Sequence, residues 1–261
     1  MPTQQTGAPD LSCSILVASC DRYRDLWTPF FTLFERHWPD CGMPVYLGTN
    51  CARFEHAVVT TLNAGADEAW SRRLRFYLEN LKTDYVLLLL EDFFLNQPVS
   101  NRDVAEQLKL LRSRNGICIR LFPNPPADYA DVLHTRAAFR VSLQAAIWNR
   151  SRLLELLVDE ESPWDFEISG SRRSQRWPSG FYCVSNPVIH YRHVVERGEW
   201  FRSAARFYAA QEIGCDFEAR PVMGIFKAGF KKLVNWLRIF GNKIRSRWLC
   251  IRYPEKLTNA G

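Results

Sequence analysis

The run Tyr85-Val86-Leu87-Leu88-Leu89-Leu90-Glu91-Asp92-Phe93-Phe94 constrains this chain more than any other segment. Its apolar density reads as a strand buried on both faces, the kind found in a parallel sheet under helices. The run ends in two adjacent carboxylates. In an open α/β sheet the carboxyl end of a strand opens onto the crevice where ligands bind. Two acids placed there supply hard oxygen ligands for a divalent cation held against a diphosphate. The competing reading is structural, since an acid after a strand also caps the next helix or sits solvated in a turn.

The rest of the chain alternates in the same way. Ser14 to Ser19 reads as a first buried strand, followed by a loop at Cys20-Asp21-Arg22-Tyr23 and a helix from about Leu26 to His37. Pro44 to Leu47 and Ala57 to Leu62 are short strands, and Trp70 to Leu81 is helical with Leu74, Leu78 and Leu81 as its apolar stripe. Beyond the acidic strand, Asn101 to Arg114 forms a helix capped by Ser100. Ile117 to Phe122 and Ala145 to Trp148 are strands, and Arg150 to Val158 is a helix. This alternation predicts an α/β fold built on a mostly parallel sheet flanked by helices.

With 261 residues, 47% of them hydrophobic, the chain has material for one large domain with an appendage. Met1 to Asp10 reads as a loose tail without the pattern of a secretory signal. The main unit is expected over 11–218, with a basic segment over 219–261. Eight cysteines occur without a C-x-x-C pair or a histidine cluster, which speaks against zinc and redox motifs. Nine basic residues and no acid lie between Ala219 and Pro254; removing those nine from the net +6 leaves −3. Within that segment Phe226, Phe230, Leu233, Val234, Leu237, Phe240, Ile244 and Trp248 recur at three- and four-residue steps. Such a stripe among cations suits an anionic bilayer surface, or else docks on the main unit. No nucleic-acid reader module accompanies the basic residues, which excludes nucleic acid as the expected partner.

Other residues suit chemistry at the strand ends. Asp92 is the favoured metal ligand with Glu91 in support; alternation puts His190 and His193 on opposite faces, so one of them can supply a third ligand or touch the diphosphate, and His190 is the one chosen. Ser162-Pro163-Trp164-Asp165-Phe166-Glu167 places a helix cap and Pro at the first turn, followed by two acids beside an aromatic platform. Asp165 or Glu167 can act as general base, although the helix macrodipole alone accounts for acids there. Arg72 and Arg73, opening the helix before the acidic strand, can reach a phosphate bidentately or form a solvated face.

In order, SILVASCDRY, PVYLGTN, WSRRL, TDYVLLLLEDFFL, SLQAAIWNR, SPWDFEISGSRRS and IHYRHVVERGEW resemble the bacterial GT-A-type glycosyltransferases that build surface polysaccharides such as capsule and O-antigen. The resemblance spans about Leu11 to Trp200. It implies a nucleotide-sugar donor and a Mn²⁺ or Mg²⁺ ion at Leu90-Glu91-Asp92, which stands where that superfamily often carries D-x-D. It also implies an inverting carboxylate base at Glu167 or Asp165, with Glu167 favoured because Asp165 sits where a capping acid is expected. Nucleotide contacts would come from the loop around Cys20 and Asp21 and from Asn50. The acceptor would be an oligosaccharide or lipid-linked glycan. The expected location is cytoplasmic, peripheral on the inner face of the cell membrane. The alternative is a non-catalytic, membrane-associated partner of a polysaccharide synthesis complex. A sugar nucleotidyltransferase would need a glycine-rich phosphate loop after the first strand, and Ser19 to Tyr23 contains no glycine.

Overall fold

The computed structural model describes residues 13–66, 69–127 and 131–224. The expected loose tail and the apolar stripe from Phe226 onward lie outside the described residues. Seven strands form the central sheet: β1 (Cys13–Ala18), β2 (Val45–Thr49), β3 (Val59–Asn63), β4 (Tyr85–Leu90), β6 (Cys118–Arg120), β7 (Ala146–Asn149) and β8 (Phe181–Cys183). Their order is β3-β2-β1-β4-β7-β6-β8. β1 pairs in parallel with β2 and with β4, and β6 in parallel with β8. β7 runs antiparallel to both of its neighbours. The sheet is therefore mixed at one strand and parallel elsewhere.

The apolar strands divide their side chains between two layers, as a period of two requires. Ile15, Val17, Leu87, Leu89, Ile119 and Ile147 pack on one face against α1 (Trp27–His37), α3 (Asn101–Ser113) and α6 (Arg202–Tyr208). Leu16, Ala18, Val86, Leu88, Cys118 and Trp148 pack on the other against α2 (Trp70–Asn80), α4 (Arg150–Leu156) and α5 (Pro163–Arg173). Both faces of β4 are thus covered, which is why its sequence shows no polar alternation. Gly48 in β2 is required by packing, because a Cβ there would stand 2.4 Å from the Tyr77 ring. Tyr77 in turn donates its hydroxyl to the Thr49 carbonyl at 2.8 Å, fixing the end of β2.

The acidic strand ends at Leu90, just before its two carboxylates. Glu91 and Asp92 form a turn, and Phe93–Leu95 continues as β5, which leaves the sheet to pair antiparallel with β9 (Tyr191–His193). A second small ribbon joins β10 (Val195–Glu196) to β11 (Glu199–Trp200). The chain then returns to the body: Met223 donates its amide to the Trp200 carbonyl, and Arg220 pairs with Asp25 in a contact that is almost fully buried. Arg220 and Met223 therefore pack onto the body, and the Arg220 guanidinium is buried against Asp25 rather than set on a basic surface. Among the described residues no helix is long and apolar enough to cross a membrane.

Candidate active site

The parallel strands β1, β2 and β4 bring their carboxyl ends to one edge, with Ala18 beside Leu90 and Gly48 beside Ala18. The loops at this edge are locked to one another. Asp21 accepts from the amides of Asn50, Cys51 and Ala52 at 2.9–3.0 Å, and the Asn50 side chain accepts from the Asp21 amide at 3.1 Å. These two residues are brought together, yet their polar atoms are spent on shaping the floor. Cys20 lies beside them, and burial pushes its thiol up, with Glu91 adding to the effect.

Glu91 is 8% exposed. Burial drives its carboxyl well above the usual range and Asp92 adds to this, while Arg220 and Arg73 oppose it. Two cations from distant segments therefore face this corner. Arg73 comes from α2, whereas its neighbour Arg72 turns away to pair with Glu160 at 2.6 Å. Arg220 is held by Asp25 and stacks over Tyr23 at 4.6 Å.

Asp92 points elsewhere. Its Oδ2 lies 2.9 Å from Nε2 of His193, and its Oδ1 is buried without a hydrogen-bond partner. An orphaned carboxylate oxygen is costly unless a ligand satisfies it. Burial alone would depress the His193 imidazole, and the Asp92 carboxylate outweighs that, raising it overall. The trio Asp92, Glu91 and His190 is not assembled: among the described residues no three His, Cys, Asp or Glu side chains are arranged to hold a metal. The reason is strand alternation in β9, which puts His193 on the side of Tyr191 and leaves His190 on the opposite side. His193 is the histidine delivered to Asp92. A carboxylate oxygen and an imidazole nitrogen suit a divalent cation whose remaining positions are filled by phosphate oxygens and water.

Tyr191 joins this corner to α5. Its ring stacks on Phe93 at 4.3 Å, and its hydroxyl bonds to the Gln144 side chain. Burial pushes its phenol far up, and the charges that act on it come from Asp92, Arg120 and Glu167. Glu167 accepts from the Leu143 amide at 2.8 Å and the Ser142 hydroxyl at 3.1 Å through one oxygen, Oε1. It lines an open cleft of about 320 Å³. Asp165, two residues earlier, is spent on the capping box with Ser162 and is fully exposed. Arg120 was not anticipated. It ends β6, is 1% exposed, donates Nη1 to the Pro125 carbonyl, and keeps Nε and Nη2 buried without partners. A charged residue closing a buried apolar strand was the signal available for it.

No family model matches the chain, and no curated protein does. Solved structures of TarS from S. aureus are similar in chain course. TarS 1–349 superposes with a TM-score of 0.49 at 12% identity, covering 95% of this chain and 73% of that one. The same fragment in complex with UDP-GlcNAc gives 0.48 at 11% identity, with 72% and 60% covered. A longer TarS structure gives 0.47 at 12% identity and covers 79% of this chain, which spans 40% of the length of that protein.

Proposed function

We propose that this protein transfers a sugar from a nucleoside-diphosphate donor to a glycan hydroxyl, with inversion at the anomeric carbon. The observation that carries the reading is the buried, unpartnered Oδ1 of Asp92 at the carboxyl edge of the sheet, beside His193 and next in sequence to Glu91, on which two arginines act. Asp92 and His193 would hold a divalent cation, which supplies Lewis-acid neutralisation of a departing diphosphate. Arg73 and Arg220 add fixed positive charge that needs no reorganisation as the leaving group gains charge.

On the other side of Tyr191, Glu167 acts as the base. Its Oε1 is committed to two donors, which fixes the carboxylate plane and leaves Oε2 to take the proton of the acceptor hydroxyl. The hydroxyl oxygen then bonds to the anomeric carbon as the bond to the diphosphate oxygen breaks, its electron pair leaving with the nucleoside diphosphate. Asp165 is left to its cap. The acceptor is read as an oligosaccharide or lipid-linked glycan, and the basic segment beyond Gly224 as the part that faces an anionic membrane.

Thermal-shift screening against UDP-, GDP-, dTDP- and CMP-sugars, with and without Mn²⁺, is the direct test. One donor class is expected to stabilise the wild type. Asp92→Ala should lose that stabilisation, and Glu167→Gln should keep it while losing transfer. Stabilisation by none of the donors would favour a non-catalytic partner of a synthesis complex.

A further inference from the structure

The cleft beside Glu167 carries charge that the transfer chemistry does not use. It lies between α5 and the segment 136–139, and its wall includes Arg136, Phe139, Glu167, Ser171, Arg172 and Gln175. Its volume of about 320 Å³ sits at the lower end of the range for ligand sites. Arg136 and Arg172 are exposed, and neither guanidinium has a partner among the described residues. Their neighbours differ sharply. Arg173 makes a two-point ion pair with Glu161 at 2.6 and 2.7 Å, Arg176 approaches Glu155, and Arg140 is buried against the Ser174 and Trp177 carbonyls. Among the described residues the sole acid in the cleft wall is Glu167, and its Oε1 is already engaged by Ser142 and Leu143.

The wall is also built rather than incidental. Ser171 accepts from the Val141 amide at 3.0 Å and donates to the Glu167 carbonyl at 2.6 Å, tying the loop to the helix. Phe139 holds a φ of 55°, a left-handed conformation that a bulky side chain adopts only where its surroundings impose it. Strained positions of this kind cluster at ligand clamps.

We infer that this cleft binds an anionic group, a phosphate or a carboxylate, through Arg136 and Arg172. Planar guanidinium donors with no acidic partner match the paired oxygens of both groups. The assignment of that group to the acceptor glycan rests on the transfer reading above; anion binding itself does not. The acceptor would then be an acidic glycan, its charge seated in the cleft and its hydroxyl at Glu167.

The test follows arginine Nε signals of the full chain by ¹⁵N-correlation NMR, assigned through Arg136→Lys and Arg172→Lys. Inorganic phosphate, glucuronate and glucose are titrated separately, with exposed Arg53 as internal reference. The Arg136 and Arg172 signals should shift and saturate with phosphate or glucuronate, the tighter of the two naming the group, and glucose should move neither. Arg172→Glu should weaken that binding at least about tenfold, as expected for loss of one charge-assisted contact. Signals that stay still, that follow Arg53 in parallel, or that respond equally to glucose would overturn the inference. A nucleoside diphosphate titration reads the donor crevice through Arg73 and Arg220. Silence there with saturation at Arg136 and Arg172 would reject the donor and keep the anion site.

Discussion

At the scale of single residues, the site depends on how each carboxylate is occupied. Asp165 shows this best. Its two bonds with Ser162 hold its carboxyl below the ordinary value of 3.8. A depressed carboxyl contributes stability above its unfolded value and loses it as pH falls through the folded value. The stability gap between wild type and Asp165→Asn, read from denaturant midpoints, should therefore be constant above about pH 5 and shrink as the solution is acidified below it. Transfer activity should be unaffected by that variant. Tyr191 sits at the opposite extreme, a buried phenol on which the charges of both Asp92 and Glu167 act. Tyr191→Phe removes its bond to Gln144 and leaves a half-buried acceptor unpaired, a cost of about 1 kcal/mol in thermal or chemical unfolding. We expect kcat to fall by about tenfold as the Gln144 loop loosens beside Glu167, with KM for the donor little changed. A variant with full turnover and lowered stability would reduce Tyr191 to packing.

At the scale of elements, the strands and helices follow from their patterns, and the departures have physical causes. The acid-tipped run, the Ser100 and Ser162 caps, and the stripe of α2 were all legible because they depend on neighbours in sequence. The direction of β7 was not. A parallel neighbour needs a crossover helix, and the Pro123-Asn124-Pro125-Pro126 segment between β6 and β7 offers none, which favours the antiparallel return. The same limit left the choice between His190 and His193 open: alternation separates their faces, but only the pairing of β5 with β9 says that the face of His193 meets Asp92. The most consequential unread contact is Arg220 with Asp25. It closes the segment after α6 onto the loop after β1, where Arg220 also acts on Glu91. Arg220→Ala strands a buried carboxylate, so unfolding should be easier by about 3–5 kcal/mol. Arg220→Lys should recover part of that loss, since one ammonium cannot copy a two-point contact. Equal stability of all three proteins in urea would contradict the burial seen here.

At the scale of the whole molecule, charge is unevenly divided. Residues 225–261 hold nine basic residues and one acid, so the net charge of the remainder is −2 against +6 for the full chain. A weakly acidic body is repelled by an anionic bilayer, while each Lys or Arg near such a surface contributes about 1 kcal/mol of attraction. The described residues contain a sheet already covered on both faces by their own helices. A chain ending at Gly224 is therefore expected to unfold at nearly the same temperature as the full chain but to lose flotation with vesicles containing phosphatidylserine. The full chain should float with those vesicles, release as salt rises toward 1 M, where the screening length falls to about 3 Å, and ignore vesicles of neutral lipid. The two readouts separate the causes. Flotation that survives truncation would move the membrane contact to the body, and a large fall in unfolding temperature would assign the basic segment to the fold.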